Sequence, residues 1–276
     1  GKTVNGATRW IGMGPLQIQP SEVIKLAMVL VMARFLSADP YRIRSFRRGI
    51  IPSLVLLGLI CGLIILQPDL GTTLVIAATV FFMLLAIGAK LWHMAGLGCA
   101  GIGLLVAAII AEPYRMRRIF AFLDPWADPS GKGYQTIQSL LALGPGGLFG
   151  LGIGQSRQKF LYLPENHTDF IFAMIGEELG FVGATLVVLL FALFILRGFR
   201  AALYAPDSFT GLLAVGLTSL IGIQAMINMG VVSGVLPVTG ITLPFISYGG
   251  TSLLFTMISA GLLLNISAAG NSRGVF

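Results

Sequence analysis

Seven apolar stretches, each close to 20 residues long, are the feature that most restricts the fold of this chain. A helix needs about 20 apolar residues to cross the hydrocarbon core of a membrane. Only 11% of the residues are charged, whereas soluble domains carry about 25%. The sequence therefore predicts an all-α, polytopic transmembrane helical bundle, with spans at 21–37, 50–66, 70–88, 94–111, 170–196, 209–232 and 251–269.

Basic residues in the short connections predict the orientation of the spans. The connection between the first two spans, 38–49, contains four arginines, and the positive-inside rule places such a loop in the cytoplasm. Counting spans from there puts the other short basic connections on the same side, namely those with Lys90, with Arg197 and Arg200, and with Arg273. The segment 1–20 and the long connection 113–169 then lie outside, and the C-terminus lies in the cytoplasm.

Charge and cysteine content exclude several other classes of protein. The net charge is +7, but most basic residues flank apolar spans, so we expect no nucleic acid as a partner. Cys61 and Cys99 fall inside apolar spans and predict no disulfide framework.

His93 and His167 lie on opposite sides of the membrane in the predicted topology, and no spacing of ligands predicts a metal site. A divalent cation held by carboxylates and substrate phosphates is compatible with the sequence.

Two connections differ from ordinary loops. The outer connection 113–169 is much the longest, and long loops are usually functional. It contains a helical piece, 134–143, and a glycine-rich run, 144–154, whose spacing fits no phosphate-binding motif and favours close packing.

The segment 233–250, the broken segment, is too apolar for a solvated loop and too interrupted by proline and glycine for a helix. Since irregular backbone at membrane depth must be buried or line a cavity, we expect a re-entrant segment lining an outward-opening cavity.

Titratable residues cluster where the long outer connection meets the next span. Glu165, His167 and Asp169 lie within five residues. A carboxylate in this position can act as a general base, or it can simply cap the helix that follows. In that helix the neighbours Glu177 and Glu178 cannot both face one partner, so we expect at least one of them to face the protein interior.

Two further charged clusters each allow a structural and a functional interpretation. Glu22 and Lys25 lie three residues apart on one helix face, where they can pair or line a substrate site. Arg115, Arg117 and Arg118 follow a span on the outer side, against the positive-inside trend. Guanidinium groups bind phosphate well, and ordinary lipid headgroups are the alternative ligand.

These residues fall in stretches that resemble the shape, elongation, division and sporulation family, which comprises the FtsW, RodA and SpoVE proteins. The matching stretches follow the family order along the whole chain, at 5–10, 19–22, 67–72, 124–129, 138–139, 167–170, 177–180 and 243–250. The stretch 154–165 is more similar to the FtsW and SpoVE branch. Family members have ten spans, so the resemblance implies an N-terminally truncated chain with seven of them, forming a single domain over 1–276.

The resemblance implies a peptidoglycan glycosyltransferase of the bacterial cytoplasmic membrane, with no certain cofactor. Such enzymes polymerise lipid II, the undecaprenyl-pyrophosphate-linked disaccharide peptide, together with a class B penicillin-binding protein. Carried over by motif, Asp169 is the catalytic residue. We expect the substrate-binding residues to be Arg9, Glu22, Lys25, Arg115, Arg118, Gln138, Ser139, Glu165, His167 and Ser247. Leu161 occupies a position where some members carry glutamate, which puts regulation through that acidic position in doubt.

Two other functions fit the same residues. A flippase for the same lipid-linked precursor would use the intramembrane charges as a pathway and would not need Asp169 as a base. A scaffold would recruit the penicillin-binding protein through its helices and catalyse nothing. Whether the chain serves division, elongation or sporulation is open at this point.

Overall fold

The computed structural model describes residues 2–4, 7–13, 16–39, 43, 45–156 and 167–271. In this part of the chain there are nine α-helices. They are α1 (Pro20–Ala38), α2 (Ile51–Ile65), α3 (Leu70–Ala86), α4 (Leu91–Ile110), α5 (Pro113–Leu123), α6 (Tyr134–Leu143), α7 (Ile171–Leu203), α8 (Ser208–Val232) and α9 (Gly250–Asn271). The predicted helical bundle is confirmed, and each of the seven predicted spans corresponds to one helix, α1 to α4 and α7 to α9.

Five of these helices are long and apolar enough to cross a membrane. They are α2 with its preceding turn (Phe46–Ile65), α4, α7, α8 and most of α9 (Gly250–Gly270). The helix α3 is apolar but shorter, and α1 carries three charged side chains, Glu22, Lys25 and Arg34. Because one chain contains five helices that can each cross a membrane, this is a multi-pass membrane protein.

The N-terminal segment differs from the all-α prediction. Three short strands, β1 (Lys2–Val4), β2 (Ala7–Met13) and β3 (Leu16–Ile18), pair antiparallel in the order β1-β2-β3. In the sequence, Asn5 and Gly6 lie between the first two strands, and this pair is strongly favoured in two-residue hairpin connections. A segment this short and polar cannot form a span, so it pairs its backbone within a small sheet.

The chain divides into two compact units, the first comprising 1–95, 192–223 and 249–276. In this unit α1 packs against α3 and α9, and α2 packs against α3. Asp69 precedes α3 and caps it, because its carboxylate accepts a hydrogen bond from the Thr72 amide at 3.0 Å. Gly216 of α8 lies against Val29 and Met83, where an added Cβ would overlap both side chains. Small residues therefore allow close helix packing.

The second unit comprises 96–191 and 224–248. It contains α5, α6, the glycine-rich run and the broken segment. The predicted helical piece is α6, and the broken segment forms no helix or strand between Ser233 and Gly249. The helical piece and the interrupted backbone of the broken segment are confirmed, whereas an outward-opening cavity lined by that segment stays a prediction. A single domain over the whole chain remains a prediction.

Helix α7 is interrupted at Gly180, which has φ +67° and ψ −165°. The glycine-rich run supplies the backbone partners that the helix loses there. Four hydrogen bonds of 2.8 to 3.1 Å join the two, from Leu151 to Glu177, Gly152 to Glu178, Phe181 to Gly147 and Val182 to Leu148. Close packing of the glycine-rich run is therefore confirmed, since its amide groups bond to protein carbonyls.

Candidate active site at the Asp169 turn

The Asp169 turn, residues 167–170, leads directly into α7. Phe170 is fully buried and anchors the turn, whereas His167 is exposed and Asp169 is half-buried. The positive end of the α7 dipole favours an anionic side chain at this position. The turn therefore presents the Asp169 carboxylate at the start of a membrane helix, as the sequence predicts.

Three successive carbonyl groups of the turn accept hydrogen bonds from later parts of the chain. The amide of Tyr248 donates to His167 O at 2.8 Å, and the hydroxyl of Ser247 donates to Thr168 O at 2.6 Å. The side-chain amide of Asn228, from α8, donates to Asp169 O at 2.7 Å. The main chain of the turn is thus fixed at each residue from 167 to 169.

The broken segment is held by side chains as well. Asn228 Nδ2 also donates to Ile241 O at 2.7 Å, and Gln224 Nε2 donates to the carbonyl and the hydroxyl of Thr242 at 3.1 and 3.2 Å. Ser247 Oγ accepts from the Leu243 amide at 2.7 Å. Side chains therefore satisfy backbone groups that lack helical partners, as buried irregular backbone requires.

Gly240 brings the broken segment close to the catalytic candidate. It has φ +76°, a left-handed conformation that favours glycine. A Cβ at this position would lie 3.6 Å from Asp169 Oδ2. The backbone of the broken segment therefore lies in near contact with the Asp169 carboxylate.

The predicted phosphate-binding arginines make contacts within the protein. Arg118 Nη1 donates to Val238 O of the broken segment at 2.9 Å, and its guanidinium lies 4.7 Å from the centre of the Tyr114 ring. Arg115 Nη1 donates to Ala108 O in the last turn of α4 at 2.8 Å, while Arg117 is exposed. Since a guanidinium has five N–H donors, both bound arginines keep donors for a ligand, and their phosphate role stays a prediction.

Two predicted substrate residues lie in α6. Ser139 is fully buried, and its hydroxyl donates to Val232 O at the end of α8 at 2.7 Å, so this side chain holds α6 in place. Gln138 is half-buried. A role of either residue in substrate binding remains a prediction.

The Glu22 and Lys25 side chains form a buried ion pair in the first unit, with 2.8 Å between Lys25 Nζ and Glu22 Oε1. The predicted pairing is confirmed, and substrate lining stays a prediction. Arg9 lies in β2, but its side chain is outside the described part of the structure. Leu161 and Glu165 lie outside the described residues altogether. Their roles also remain predictions.

Glu177 is the member of its pair that faces the interior. It is 1% exposed, and the Ser156 hydroxyl donates to its Oε2 at 2.5 Å. Among residues 2–156 and 167–271, apart from the short undescribed gaps, no three His, Cys, Asp or Glu side chains come together as metal ligands.

Asn228 and Gly240 are site residues that the sequence reasoning missed. Gln224 and Asn228 are two amides spaced four residues apart within an apolar span, and they therefore share one helix face. Polar side chains in that setting usually face a cavity or a protein partner. This spacing is the signal that points to them.

Known proteins resemble this chain over nearly all of its length. The model of the FtsW, RodA and SpoVE family, described as "Cell cycle protein", matches residues 1–272. The stage V sporulation protein E of Bacillus subtilis (strain 168) is 53% identical over 267 residues, covering 97% of this chain and 73% of that protein. The probable peptidoglycan glycosyltransferase FtsW of Geobacter sp. (strain M18) is 44% identical over the same shares.

Solved structures share the fold. One is a chain of a peptidoglycan synthase complex that coordinates polymerization and crosslinking, with TM-score 0.77 and 36% identity, covering 98% of this chain and 76% of that chain. Another is the Rod shape determining protein RodA of Thermus thermophilus, with TM-score 0.67 and 32% identity, covering 97% and 71%. By the extent of the family match and these identities, the chain belongs to the FtsW, RodA and SpoVE family of cell cycle proteins.

Proposed function

We propose that this protein is a peptidoglycan glycosyltransferase that polymerises lipid II, with Asp169 as the general base. The observation that carries the proposal is the Asp169 turn, whose three successive carbonyls are each bonded to the broken segment or to α8. A general base requires a fixed position relative to its proton donor. Relatives named as peptidoglycan glycosyltransferases support the reaction class.

The proposed reaction uses the Asp169 carboxylate as its base, and the resemblance to peptidoglycan glycosyltransferases supports it. Asp169 takes the proton from the C4 hydroxyl of the acceptor sugar while that oxygen forms a bond to the anomeric carbon of the donor. The bond from this carbon to the pyrophosphate breaks, and pyrophosphate leaves on its polyprenyl carrier with the electron pair. The anomeric configuration inverts. Free N–H donors of Arg115 and Arg118 stabilise the charge that develops on the leaving pyrophosphate.

The proposed orientation places the connection 113–169 outside the cytoplasmic membrane and the C-terminus inside. The positive-inside rule supports this assignment, because the short basic connections then all lie in the cytoplasm. The apolar carrier stays in the bilayer, and the sugar end meets the Asp169 turn. A class B penicillin-binding protein is the proposed partner, and the similarity to a synthase complex that both polymerises and crosslinks supports it.

The test is polymerisation of purified lipid II by the full-length protein with its partner. Removing a general base typically costs 10²- to 10⁴-fold in rate, so we expect Asp169→Asn to lower the rate at least about 100-fold. Asp124→Asn is the matched control, because Asp124 is an exposed aspartate in the same outer connection and should keep activity within about threefold.

The outcomes separate the alternatives. If Asp169→Asn polymerises at the wild-type rate, the general-base assignment is wrong. Wild-type protein that moves lipid II across vesicle membranes without ever polymerising it would establish a flippase. Wild-type protein that does neither, yet binds the penicillin-binding protein, would establish a scaffold.

A further inference from the structure

The Asn228 side chain connects two segments of the candidate site. It lies in the membrane helix α8 and is 1% exposed. Its single nitrogen, Nδ2, donates to Asp169 O and to Ile241 O, both at 2.7 Å. The first carbonyl belongs to the Asp169 turn and the second to the broken segment. One amide group therefore bridges these two segments, in addition to the bonds that Ser247 and Tyr248 donate to the turn.

The hydrogen bonds of Asn228 are not explained by stability alone. Its Oδ1 is buried without a hydrogen-bond partner among the described residues, and a buried unsatisfied acceptor is destabilising. Polar side chains within membrane spans are rare and usually functional. In the Asn228 side chain, both N–H groups therefore donate hydrogen bonds, whereas the oxygen accepts none among the described residues. This imbalance indicates that placing the two carbonyls is the purpose of the residue.

We propose that Asn228 is a positioning residue for the general base, an inference that rests on the proposed glycosyltransferase function. It bonds the Asp169 turn to Ile241, and the adjacent Gly240 is so near the carboxylate that a Cβ there would lie 3.6 Å from Asp169 Oδ2. Asn228 thereby holds the carboxylate in position relative to the broken segment. It acts through the main chain of the turn and does not itself touch the reacting atoms.

The chemistry of this position favours asparagine over its nearest relatives. Aspartate of the same shape would present oxygen atoms to two carbonyls, and the three groups would repel one another. Serine has one donor and can bond to only one of the carbonyls. Glutamine keeps both donors but is longer by one C–C bond, about 1.5 Å, so it displaces one segment relative to the other.

The matched control lies one turn earlier on the same helix. Gln224 is 4% exposed, and its Nε2 donates to the carbonyl and the hydroxyl of Thr242 in the broken segment. Asn228→Leu and Gln224→Leu each replace a buried amide of α8 with an apolar side chain of similar volume. Comparing them separates loss of a buried polar contact from loss of the bond to the Asp169 turn.

The experiment measures kcat and KM for lipid II, and Tm, in the full-length protein with its partner. A displacement of about 1 Å at a catalytic group can cost 10²-fold in rate. We expect Asn228→Leu to lower kcat about 100-fold with KM within about threefold of wild type. Gln224→Leu loosens the broken segment but keeps the bond from Asn228 to the Asp169 turn, so its fall in kcat should be about tenfold smaller than that of Asn228→Leu. The Tm values of the two variants should be similar. Asn228→Gln, which keeps both donors, should lower kcat with little change in Tm.

Each outcome decides one point. If Asp169→Asn remains active, the proposed function fails, whatever the Asn228 variants do. If Asp169→Asn is inactive but Asn228→Leu matches Gln224→Leu in kcat, the positioning role is wrong. A rise in KM without a fall in kcat would also overturn it, because that result indicates substrate binding. If Asn228→Leu does not fold, Asn228→Gln and Asn228→Ser are judged by the same criteria.

Discussion

Replacing Gly180 by alanine tests how the break in α7 is maintained. The φ of +67° and ψ of −165° at this residue form a combination that is essentially restricted to glycine. A Cβ at Gly180 would overlap the backbone nitrogen of Gly150 and lie 2.6 Å from Leu148 O. Both of these atoms belong to backbone that cannot move aside as a flexible side chain can. The glycine-rich run and the helix would have to separate.

The expected cost follows from two contributions. Forcing alanine into this backbone conformation costs about 1–3 kcal/mol. Separating the run from the helix weakens the hydrogen bonds that join them, each of which contributes about 0.5–1.5 kcal/mol. If two of the four bonds are lost, the total is about 4 kcal/mol. For a protein of this size, each kcal/mol lowers Tm by about 2–4 °C, so we expect Gly180→Ala to lower Tm by about 10 °C.

Thermal unfolding of the purified protein in detergent measures this effect, and Gly147→Ala is the matched control. Gly147 lies in the glycine-rich run with φ +52°, and an added Cβ there meets no atom within 4 Å. That substitution brings the left-handed strain alone, about 1–2 kcal/mol, and should lower Tm by about 4 °C. Equal Tm values for the two alanine variants would refute the conclusion that backbone contact with the run maintains the break.

Two further substitutions test local contacts. Asp69→Ala removes the carboxylate that accepts from the Thr72 amide, and loss of such a cap costs about 1 kcal/mol, so Tm should fall by a few °C. Asp69→Asn, which keeps an acceptor, should retain most of the stability, and an unchanged Tm for the alanine variant would contradict this role. Arg118→Met removes the bond to Val238 O and should lower Tm by a few °C, because a charged donor contributes about 1.5–3 kcal/mol before solvent screening. Arg117→Met changes an exposed neighbour and should leave Tm unchanged. Equal Tm values for the two arginine variants would rule out a stabilising contact.

The membrane helices could be predicted from the sequence because the bilayer simplifies the problem. In hydrocarbon a spanning segment must form its backbone hydrogen bonds within itself, as a helix does. An apolar run long enough to span the membrane therefore predicts a helix. The break at Gly180 could not be predicted in this way. It depends on pairing with the glycine-rich run, which lies some thirty residues earlier in the sequence, and α7 reads as one continuous apolar span.

The sequence predicts the titratable candidates of the site but not the groups that hold them. Asp169 is predicted because it lies in a cluster of titratable groups at the start of a span and because its motif resembles that of the family. Its contact with Asn228 joins residues 59 positions apart, and that of Arg118 with Val238 joins residues 120 positions apart. In both contacts the acceptor is a main-chain carbonyl, and because every residue has one, the sequence does not indicate which carbonyl is bound. The sequence therefore predicts Arg118 only as a ligand for phosphate, whereas in the structure it donates to the carbonyl of Val238.

Side chains that donate hydrogen bonds to the irregular backbone determine where substitutions should affect activity. The broken segment and the Asp169 turn form no helix, and hydrocarbon supplies no water for backbone groups that lack a protein partner. Their carbonyls accept instead from Asn228 of α8 and Arg118 of α5, and from Ser247 within the broken segment itself. Among these donors, Asn228 holds the general base through the main chain of the turn, so removing it displaces the carboxylate without changing any group that reacts. Loss of activity should therefore extend from Asp169 to Asn228, a side chain that does not contact the substrate.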